Sequence, residues 1–351
     1  MLQVNIHGPG DVRLDPAREP VAGANDIILR TGACGICGSD ITYIDMGGMP
    51  AGPNPATMAL GHEFAGTVET VGHAVQGIVP GQKVVVDPMA ADNIGNGGPE
   101  GAFTPRLLVR NARLGVNVHD VPADMPVERA ALVEPLSVAM HAVNTAAPLA
   151  SDKVVVYGAG CIGLGAVVAL RHKGVKEIAV IDFSDERLRR ARELGATVTV
   201  NPGRDEVQAR LAEAHGASDV YGIPVVASNV YIEATGATAA FEEIVRIAPV
   251  DARVVVVSVH KKPAPLDLQF VLMKELVIKG SIGYPREFPE VIEMLKDPRV
   301  DVAPLISHRF ALADFMEALK TARDPNGSAK VMITFDAWIR PAEAGPTERM
   351  R

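Results

Sequence analysis

The sequence predicts an α/β protein in which a mostly antiparallel, barrel-like β region adjoins a parallel sheet covered by helices on both faces. Short β segments separated by Gly and Pro fill residues 1–144, a spacing typical of antiparallel barrels. From about residue 150, nearly continuous apolar strands alternate with helices, which is typical of a parallel sheet. The length of 351 residues suits two domains.

In the first region, strands are predicted at residues 27–30, 66–72 and 82–88. Residues 87–106, called the lobe below, form a long loop rich in Gly, Asn and Pro, and we expect it to lie at the surface.

In the second region, the strand KVVVY at 153–157 leads through a glycine-rich turn into a predicted helix at 164–173, which Gly174 closes. A second strand at 177–181 precedes a helix at 185–194 with acidic residues in its first turn, where the helix dipole favours them. Further strands are predicted at 197–200, 230–234, 253–259 and 276–281. Residues 218–228 fit no simple alternation, so we interpret them as an inserted excursion.

The last part of the chain mixes helices and a strand. Helices are predicted at 287–296 and 312–323, and a final strand at 329–335. Residues 337–351 are polar and are predicted to form a flexible tail.

Composition excludes several classes of function. Apolar residues make up 48% and charged residues 22%, as in globular proteins. A net charge of −8 disfavours nucleic acids and anionic membranes as partners. No apolar run reaches the ~18 residues of a membrane span, and the N-terminus lacks the pattern of a signal peptide. Three cysteines make no disulfide framework, which favours the reducing cytoplasm.

A dinucleotide fingerprint follows the strand at 153–157. Gly158, Gly160 and Gly163 form GxGxxG between strand and helix, which allows a tight turn, close approach of a pyrophosphate and close helix packing. Asp182 ends the next strand, 19 residues beyond Gly163, where a carboxylate binds a ribose 2′-hydroxyl. Because that carboxylate repels a 2′-phosphate, the sequence favours NAD over NADP.

Two residues near the fingerprint leave alternatives open. Arg187 either stacks on the adenine ring or is an ordinary charge on a helix surface. Cys161 is interpreted as a small packing residue; the helix end is expected to lower the pKa of its thiol slightly, and no chemistry is assigned to it.

Cys37, His62 and Glu63 are the candidate metal ligands of the first region. A thiolate, an imidazole and a carboxylate are a plausible zinc set that leaves a fourth position open. A spacing of 25 residues between Cys37 and His62 matches no simple ligand rule, however, and taken alone it favours a buried Cys and a hydrogen-bonded core His. Cys34 and Cys37 form one CxxC without a second, which argues against a zinc ribbon.

Together these motifs resemble the zinc-dependent medium-chain dehydrogenase/reductase family, and in particular its polyol and diol branch of sorbitol-, butanediol- and threonine-dehydrogenase-like proteins. The resemblance spans about residues 1–335. The motifs, in order, are GICGSD (35–40), LGHEFAGTVETVG (60–72), PGQKV (80–84), ALVEPLSVAMHAV (131–143), GAGCIGLGA (158–166), EATG (233–236), GYP (283–285) and PLISHRF (304–310).

The resemblance implies a GroES-like barrel domain that is interrupted by a doubly wound Rossmann domain. Residues 1–144 would be catalytic, 145–281 would bind NAD, 282–336 would return to the catalytic domain and 337–351 would be the tail. It also implies a homodimer or homotetramer.

The resemblance further implies the site residues. Cys37, His62 and Glu63 would bind zinc, and Glu134 would either ligate zinc or hydrogen-bond its water. Ser39 would begin proton relay, Asp40 would orient its loop and Tyr43 would line the substrate pocket. The residues implied to contact the cofactor are Gly158, Gly160, Ile162, Gly163, Asp182, Arg187, Ser258 and Ile282.

Two departures from the family pattern qualify the expected activity. Sorbitol dehydrogenases carry Arg at the position of Gly283 and His at that of Thr42, so sorbitol is disfavoured. Four cysteines bind a structural zinc in many members, but the lobe contains none, which predicts a single catalytic zinc per subunit.

The expected activity is reversible, NAD-linked oxidation of a secondary alcohol or vicinal diol. Polyol, sugar or threonine oxidation are the alternatives, followed by a zinc-free NADPH quinone reductase and a non-catalytic NAD-binding protein.

Overall fold

The structure is a computed structural model, and it describes residues 1–49 and 57–335. The predicted tail at 337–351 lies outside the described residues. The strands are β1 Leu2–Gly8, β2 Asp11–Pro16, β3 Ile27–Ile36, β4 Met58–Ala59, β5 Glu63–Val71, β6 Lys83–Val86, β7 Arg106–Val109, β8 Val118–Asp120, β9 Lys153–Tyr157, β10 Glu177–Ile181, β11 Val198–Val200, β12 Ala217–Val220, β13 Ile223–Val226, β14 Val230–Glu233, β15 Arg253–Val256, β16 Val277–Gly280, β17 Ile306–Ala311 and β18 Lys330–Thr334. The helices are α1 Gly38–Met46, α2 Val127–Ala131, α3 Val133–Ala146, α4 Cys161–His172, α5 Asp185–Glu193, α6 Val207–His215, α7 Thr238–Ile247, α8 Leu268–Lys274, α9 Glu287–Lys296 and α10 Phe315–Ala322, with short 3-10 helices at Ala303–Leu305 and Leu312–Asp314.

A mostly antiparallel seven-stranded sheet joins strands of the first region to the last two strands of the described chain, while β1, β2 and β4 form a separate sheet of order β2-β1-β4. The order of the seven-stranded sheet is β17-β18-β3-β5-β6-β8, with β7 also paired to β3. Strand β18 runs antiparallel to β3 with Val331 opposite Ile36. On the other side of β3, Gly35 lies opposite Glu63 of β5. The last strand of the described chain therefore lies beside the strand that leads to Cys37.

A parallel six-stranded sheet has the order β11-β10-β9-β14-β15-β16. Both of its faces are buried, because alternate residues of β9 enter two different cores. Val154 and Val156 pack with α3, α4 and α9, whereas Val155 and Tyr157 pack with α6 and α7. The chain reverses its direction of travel across the sheet at β9, so a ligand cleft is expected at the carboxyl ends of β9 and β14.

The predicted fold class is confirmed, and the details differ in four places. Residues 218–228 form the hairpin of β12 and β13. Helix α4 begins at Cys161, three residues earlier than predicted, directly after the glycine-rich turn. Helices α1, α2, α6, α7 and α8 lacked a sequence prediction. The lobe is not simply a surface loop, because Ile94 and Phe103 are fully buried. The domain boundaries stay a prediction.

None of the helices in residues 1–49 and 57–335 is long and apolar enough to cross a membrane.

Candidate metal centre and cofactor site

Three predicted metal ligands converge where β3 ends and β5 begins. Cys37 follows β3 and precedes α1, His62 immediately precedes β5, and Glu63 is the first residue of β5. One ligand atom from each lies within 4.8 Å of the others. The pairing of Gly35 with Glu63 across β3 and β5 brings these residues together despite their separation in sequence.

Asp40 holds two of these three residues in place. It is fully buried, its Oδ2 accepts a hydrogen bond of 2.8 Å from the Cys37 amide, and its Oδ1 lies 3.5 Å from His62 Nδ1. Burial alone would lower the pKa of His62, but Asp40 and Cys37 raise it well above its ordinary value. The sequence indicated that Asp40 orients its loop; its contact with His62 is a finding of the structure.

Ser39 and Tyr43 lie one turn apart on α1, on the side that faces His62. Ser39 Oγ is 3.3 Å from His62 Nε2. Tyr43 is half-buried, and burial raises the pKa of its hydroxyl while His62 lowers it. Both residues therefore lie beside the metal cluster, where a substrate bound to the metal would meet them.

Lys330 is a member of the site that no motif in the sequence had indicated. It opens β18, is buried, and its Nζ donates to Glu63 Oε1 at 2.7 Å and to the Ile36 carbonyl at 2.9 Å. A Cβ on Gly35 would lie 2.2 Å from Glu63 Oε2, so only glycine leaves room for this ion pair. Lys330 thus compensates the buried charge of Glu63.

Glu134 lies in the first turn of α3 and is buried beside the cluster. It is not part of the group whose ligand atoms lie within 4.8 Å of one another. The pKa of Glu134 is raised to about 7, chiefly by burial and also by Glu63, against the lowering effects of His62 and Lys330. The hydroxyl of Tyr284 is buried nearby, and its pKa is raised by burial and by Glu134.

These residues fit a divalent zinc ion. Sulfur, imidazole nitrogen and carboxylate oxygen form the mixed donor set that zinc accepts. The buried carboxyl groups of Asp40, Glu63 and Glu134 lie around His62 and Lys330, and a cation at the cluster would stabilise their ionised forms. A carboxylate, that of Asp40, also lies 3.5 Å from the ring of the histidine, as is common at metal-binding histidines.

The glycine-rich turn has the geometry that its sequence predicts. Gly158 has a φ of +96°, and a Cβ on Gly163 would lie 1.8 Å from the Gly158 carbonyl oxygen. A Cβ on Gly160 would meet nothing within 4 Å among the described residues, so open space lies at the start of α4. The turn is therefore closed by Gly158 and Gly163 and open at Gly160.

The other cofactor-site residues lie mainly at the carboxyl edge of the parallel sheet. Asp182 directly follows β10, Ser258 follows β15, and Ile282 follows β16 with 89% of its surface exposed. The Asp182 carboxylate accepts hydrogen bonds from the amides of Ala159 at 2.7 Å and Ser184 at 2.8 Å. Asp182 is thus attached to the glycine-rich turn, and its contact with ribose stays a prediction.

Two alternatives for residues near the turn are corrected. Arg187 is not a free surface charge, because its Nε donates a 2.7 Å hydrogen bond to the Ser328 carbonyl; stacking on adenine stays a prediction. Burial raises the pKa of Cys161 to about 12, so the expected acidification by the helix end is wrong. Ile162 is partly exposed in the first turn of α4.

Comparison with known proteins agrees with this geometry. Residues 23–115 match the alcohol dehydrogenase GroES-like domain, and residues 161–297 match the zinc-binding dehydrogenase family. The chain is 32% identical to mouse sorbitol dehydrogenase, over 95% of this chain and 96% of that protein. It is 30% identical to (R,R)-butanediol dehydrogenase of Bacillus subtilis (strain 168), over 90% of this chain and 94% of that protein.

The crystal structure of 2R,3R-butanediol dehydrogenase from Bacillus subtilis is similar to this chain, with a TM-score of 0.84 and 28% identity over 95% of this chain and 99% of that one. Fold and site together define a zinc-binding oxidoreductase that acts on CH–OH groups. The chain belongs to the zinc-dependent medium-chain dehydrogenase/reductase family, in its polyol and diol branch.

Proposed function

We propose that this protein transfers a hydride between NAD and a secondary alcohol or vicinal diol, giving the ketone reversibly. One observation carries the proposal: the Cys37–His62–Glu63 cluster lies beside the glycine-rich turn. Helix α4, which follows that turn, packs against α3, which carries Glu134: a Cβ on Gly165 would lie 2.9 Å from Ala139 Cβ and 3.3 Å from Leu136 Cδ2. A metal-bound hydroxyl and a nicotinamide would therefore meet in the same cleft.

When bound, zinc would supply a Lewis acid that lowers the pKa of the substrate hydroxyl. Ser39 Oγ, 3.3 Å from His62 Nε2, is placed to accept the hydroxyl proton. Ser39 is only partly buried, so the proton has a route towards solvent or a ribose hydroxyl. Tyr43 would line the substrate pocket and limit access of water, while Ile282 stays a predicted cofactor contact.

We propose one zinc per subunit, held by Cys37, His62 and Glu63, with Glu134 as a further ligand or as the acceptor for zinc-bound water. Because Glu63 already pairs with Lys330, its carboxylate would have to contact both Lys330 and zinc. Glu134 forms no ion pair with residues 1–49 or 57–335. Its carboxylate would therefore be freer than that of Glu63 to exchange with water as a zinc ligand.

NAD is the proposed cofactor because Asp182 presents a carboxylate at the end of β10. Asp182→Ala should raise the NAD dissociation constant and reduce the preference for NAD over NADP. Calorimetric titration with both cofactors measures this, and an unchanged preference would count against the ribose assignment.

The proposed substrate is a secondary alcohol or vicinal diol, with polyols, sugars and threonine as alternatives. The relatives named for sorbitol and butanediol support a substrate with neighbouring hydroxyls. Gly283 lacks the arginine side chain that would contact a polyhydroxyl chain, which favours the smaller diol. The metal cluster argues against a zinc-free quinone reductase, and elemental analysis would detect the metal.

We propose that the protein is cytoplasmic and forms a homodimer or homotetramer. Within residues 1–49 and 57–335, β16 is an edge strand that pairs with β15 alone. Leu268 and Leu272 of the neighbouring α8 are 69% and 78% exposed, and Val277 of β16 is 44% exposed. An exposed apolar edge of this kind suits association between copies, which light scattering would measure.

A panel of alcohols with NAD and NADP is the deciding experiment. We expect NAD reduction with butane-2,3-diol and butan-2-ol, weaker activity with sorbitol, and loss of activity after zinc is removed. Cys37→Ala should lose both zinc and turnover while its NAD dissociation constant stays within about twofold, because the two sites use different loops. Full turnover by this variant would refute the metal role.

A further inference from the structure

The lobe, residues 87–106, packs directly against the metal centre. The amides of Ala102 and Phe103 donate to the carbonyls of Gly61 and Leu60 at 2.9 and 3.1 Å. A Cβ on Gly95 would lie 2.1 Å from the Gly61 oxygen, so the lobe backbone touches the residue that precedes His62. The lobe is thus held at a fixed distance from a metal ligand.

One polar residue of the lobe faces the substrate side of α1. The Tyr43 hydroxyl donates to Asn96 Oδ1 at 3.3 Å. Asn96 is partly exposed, and its Nδ2 makes no hydrogen bond to residues 1–49 or 57–335. A tyrosine oxygen and an amide N–H therefore lie together about one helical turn from Ser39, which contacts His62.

One apolar residue of the lobe, Met89, contacts Gly283 in the segment that follows β16. A Cβ on Gly283 would lie 3.5 Å from Met89 Sδ and 3.8 Å from Met89 Cε. Met89 is 55% exposed, and Asp87 fixes its backbone by accepting hydrogen bonds from the Met89 and Ala90 amides at 3.0 and 3.1 Å. Gly283 directly precedes Tyr284, which packs in the same core as Val133 and Leu136 on either side of Glu134, so this contact also borders the metal centre.

We propose that Asn96 and Met89 determine substrate specificity: the Tyr43–Asn96 pair binds the second hydroxyl of a vicinal diol, and Met89 contacts the hydrocarbon end of the substrate across Gly283. The inference rests on the proposed alcohol or diol dehydrogenase function. The lobe would then be a wall of the substrate pocket, and the hydroxyl that is not oxidised would meet an oxygen that can accept and an amide that can donate.

Asn96→Leu tests the polar wall, because leucine has a similar size and no polar atoms. We expect kcat/KM for butane-2,3-diol to fall about tenfold relative to butan-2-ol, the size of one net hydrogen bond. The dissociation constants of the two alcohols from the NADH complex, followed by NADH fluorescence, should change in the same ratio. Asn96→Asp, which keeps an acceptor for Tyr43, guards against a general folding effect.

Met89→Ala tests the apolar wall, and Met316→Ala is its control, because Met316 on α10 has the same exposure of 55%. The residue of α10 that packs on the lobe is its neighbour Phe315, whose ring lies 5.0 Å from that of Phe103. We expect the ratio of kcat/KM for hexan-2-ol over butan-2-ol to fall several-fold for Met89→Ala and to stay unchanged for the control.

The outcomes distinguish failure of this inference from failure of the proposed function. If the wild type oxidises both alcohols and Asn96→Leu changes both equally or not at all, the role of Asn96 is overturned while the proposed function stands. An unchanged chain-length ratio for Met89→Ala likewise overturns the role of Met89. If the wild type oxidises neither alcohol, the proposed function is wrong and this inference is wrong with it.

Discussion

At the scale of single residues, the site depends on buried charges that compensate one another. Asp40 contacts the backbone of Cys37 and the ring of His62, and Lys330 contacts Glu63. Each of these partners lies outside the predicted set of zinc ligands, yet each orients or neutralises a member of it. Removing a partner should therefore be costly even when every ligand is kept.

Asp40→Asn should weaken zinc binding by about 10–100-fold, the usual cost of removing a carboxylate that orients a metal-binding histidine. Asparagine still offers an oxygen to the Cys37 amide, so the turn should stay folded. Competition with a chelator measures the affinity. Asp45→Asn is the matched control on the same helix, since Asp45 pairs with Arg323 on the surface; equal affinities of the two variants would contradict the role of Asp40.

Lys330→Met should destabilise the metal-free protein by about 3–5 kcal/mol, because it leaves the buried Glu63 carboxylate without its counter-charge. Urea unfolding measures the free energy. Adding Glu63→Gln should recover part of the loss, because the uncompensated charge is then gone. Lys296→Met, which breaks an exposed pair with Glu293, should change stability by about 0.5 kcal/mol or less. No difference between the two lysine variants would disprove the compensation.

At the scale of elements, the glycines of the turn between β9 and α4 have two different roles: two are needed for the fold, and one leaves room for a ligand. Gly158 and Gly163 are required by the folded chain itself, since a Cβ at either would come within 3 Å of a backbone oxygen. Gly160 meets nothing within 4 Å, so its small size serves something outside the described chain. A bound pyrophosphate at the start of α4 is the physical reason that the fingerprint gives.

Gly160→Ala and Gly163→Ala should consequently differ in their effects on the melting temperature. We expect Gly160→Ala to keep the wild-type melting temperature within about 2 °C and to raise the NAD dissociation constant at least tenfold, about 1.4 kcal/mol of binding energy. Gly163→Ala should lower the melting temperature as well, because its Cβ would overlap the Gly158 oxygen. Thermal unfolding and calorimetry measure both, and wild-type NAD affinity in Gly160→Ala would contradict the assignment of the phosphate site.

At the scale of the whole molecule, segments far apart in sequence are joined by side chains that bind backbone carbonyls. Arg129 of α2 donates to the carbonyls of Leu295, Val300 and Asp297 at 2.9, 2.9 and 3.0 Å. Arg187 of α5 reaches the Ser328 carbonyl, close to the Lys330 that enters the metal site. The helix α5 that flanks the parallel sheet is therefore connected to the antiparallel sheet through the same segment that completes the cluster.

Arg129→Met should lower the free energy of unfolding by about 1.5–3 kcal/mol, the usual value for hydrogen bonds from a charged donor. The three carbonyls at the end of α9 and just after it would lose Arg129 as their common donor. Methionine would keep much of the apolar part of the arginine side chain. Chemical denaturation is the measurement. Arg299→Met is the control because the Arg299 side chain is 88% exposed, and a loss as large as that of Arg129→Met would show that the carbonyl contacts contribute nothing specific.

The sequence by itself determined the fold class, the glycine-rich turn and the acidic residue that follows it. These features depend on neighbours close in the chain: apolar periodicity decides strand or helix, and steric contact decides where glycine is needed. The family resemblance then implied the zinc ligands, which spacing alone did not, because 25 residues separate Cys37 from His62.

Only the tertiary structure decided how those residues meet. The pairing of β3 with β5 and β18 brings Cys37, Glu63 and Lys330 together, and the folding of the lobe over Gly61 places Asn96 beside Tyr43. Such contacts depend on strand register and on packing between distant segments. A sequence constrains register through burial of whole faces, so individual partners such as Lys330 become visible only once the strands are aligned.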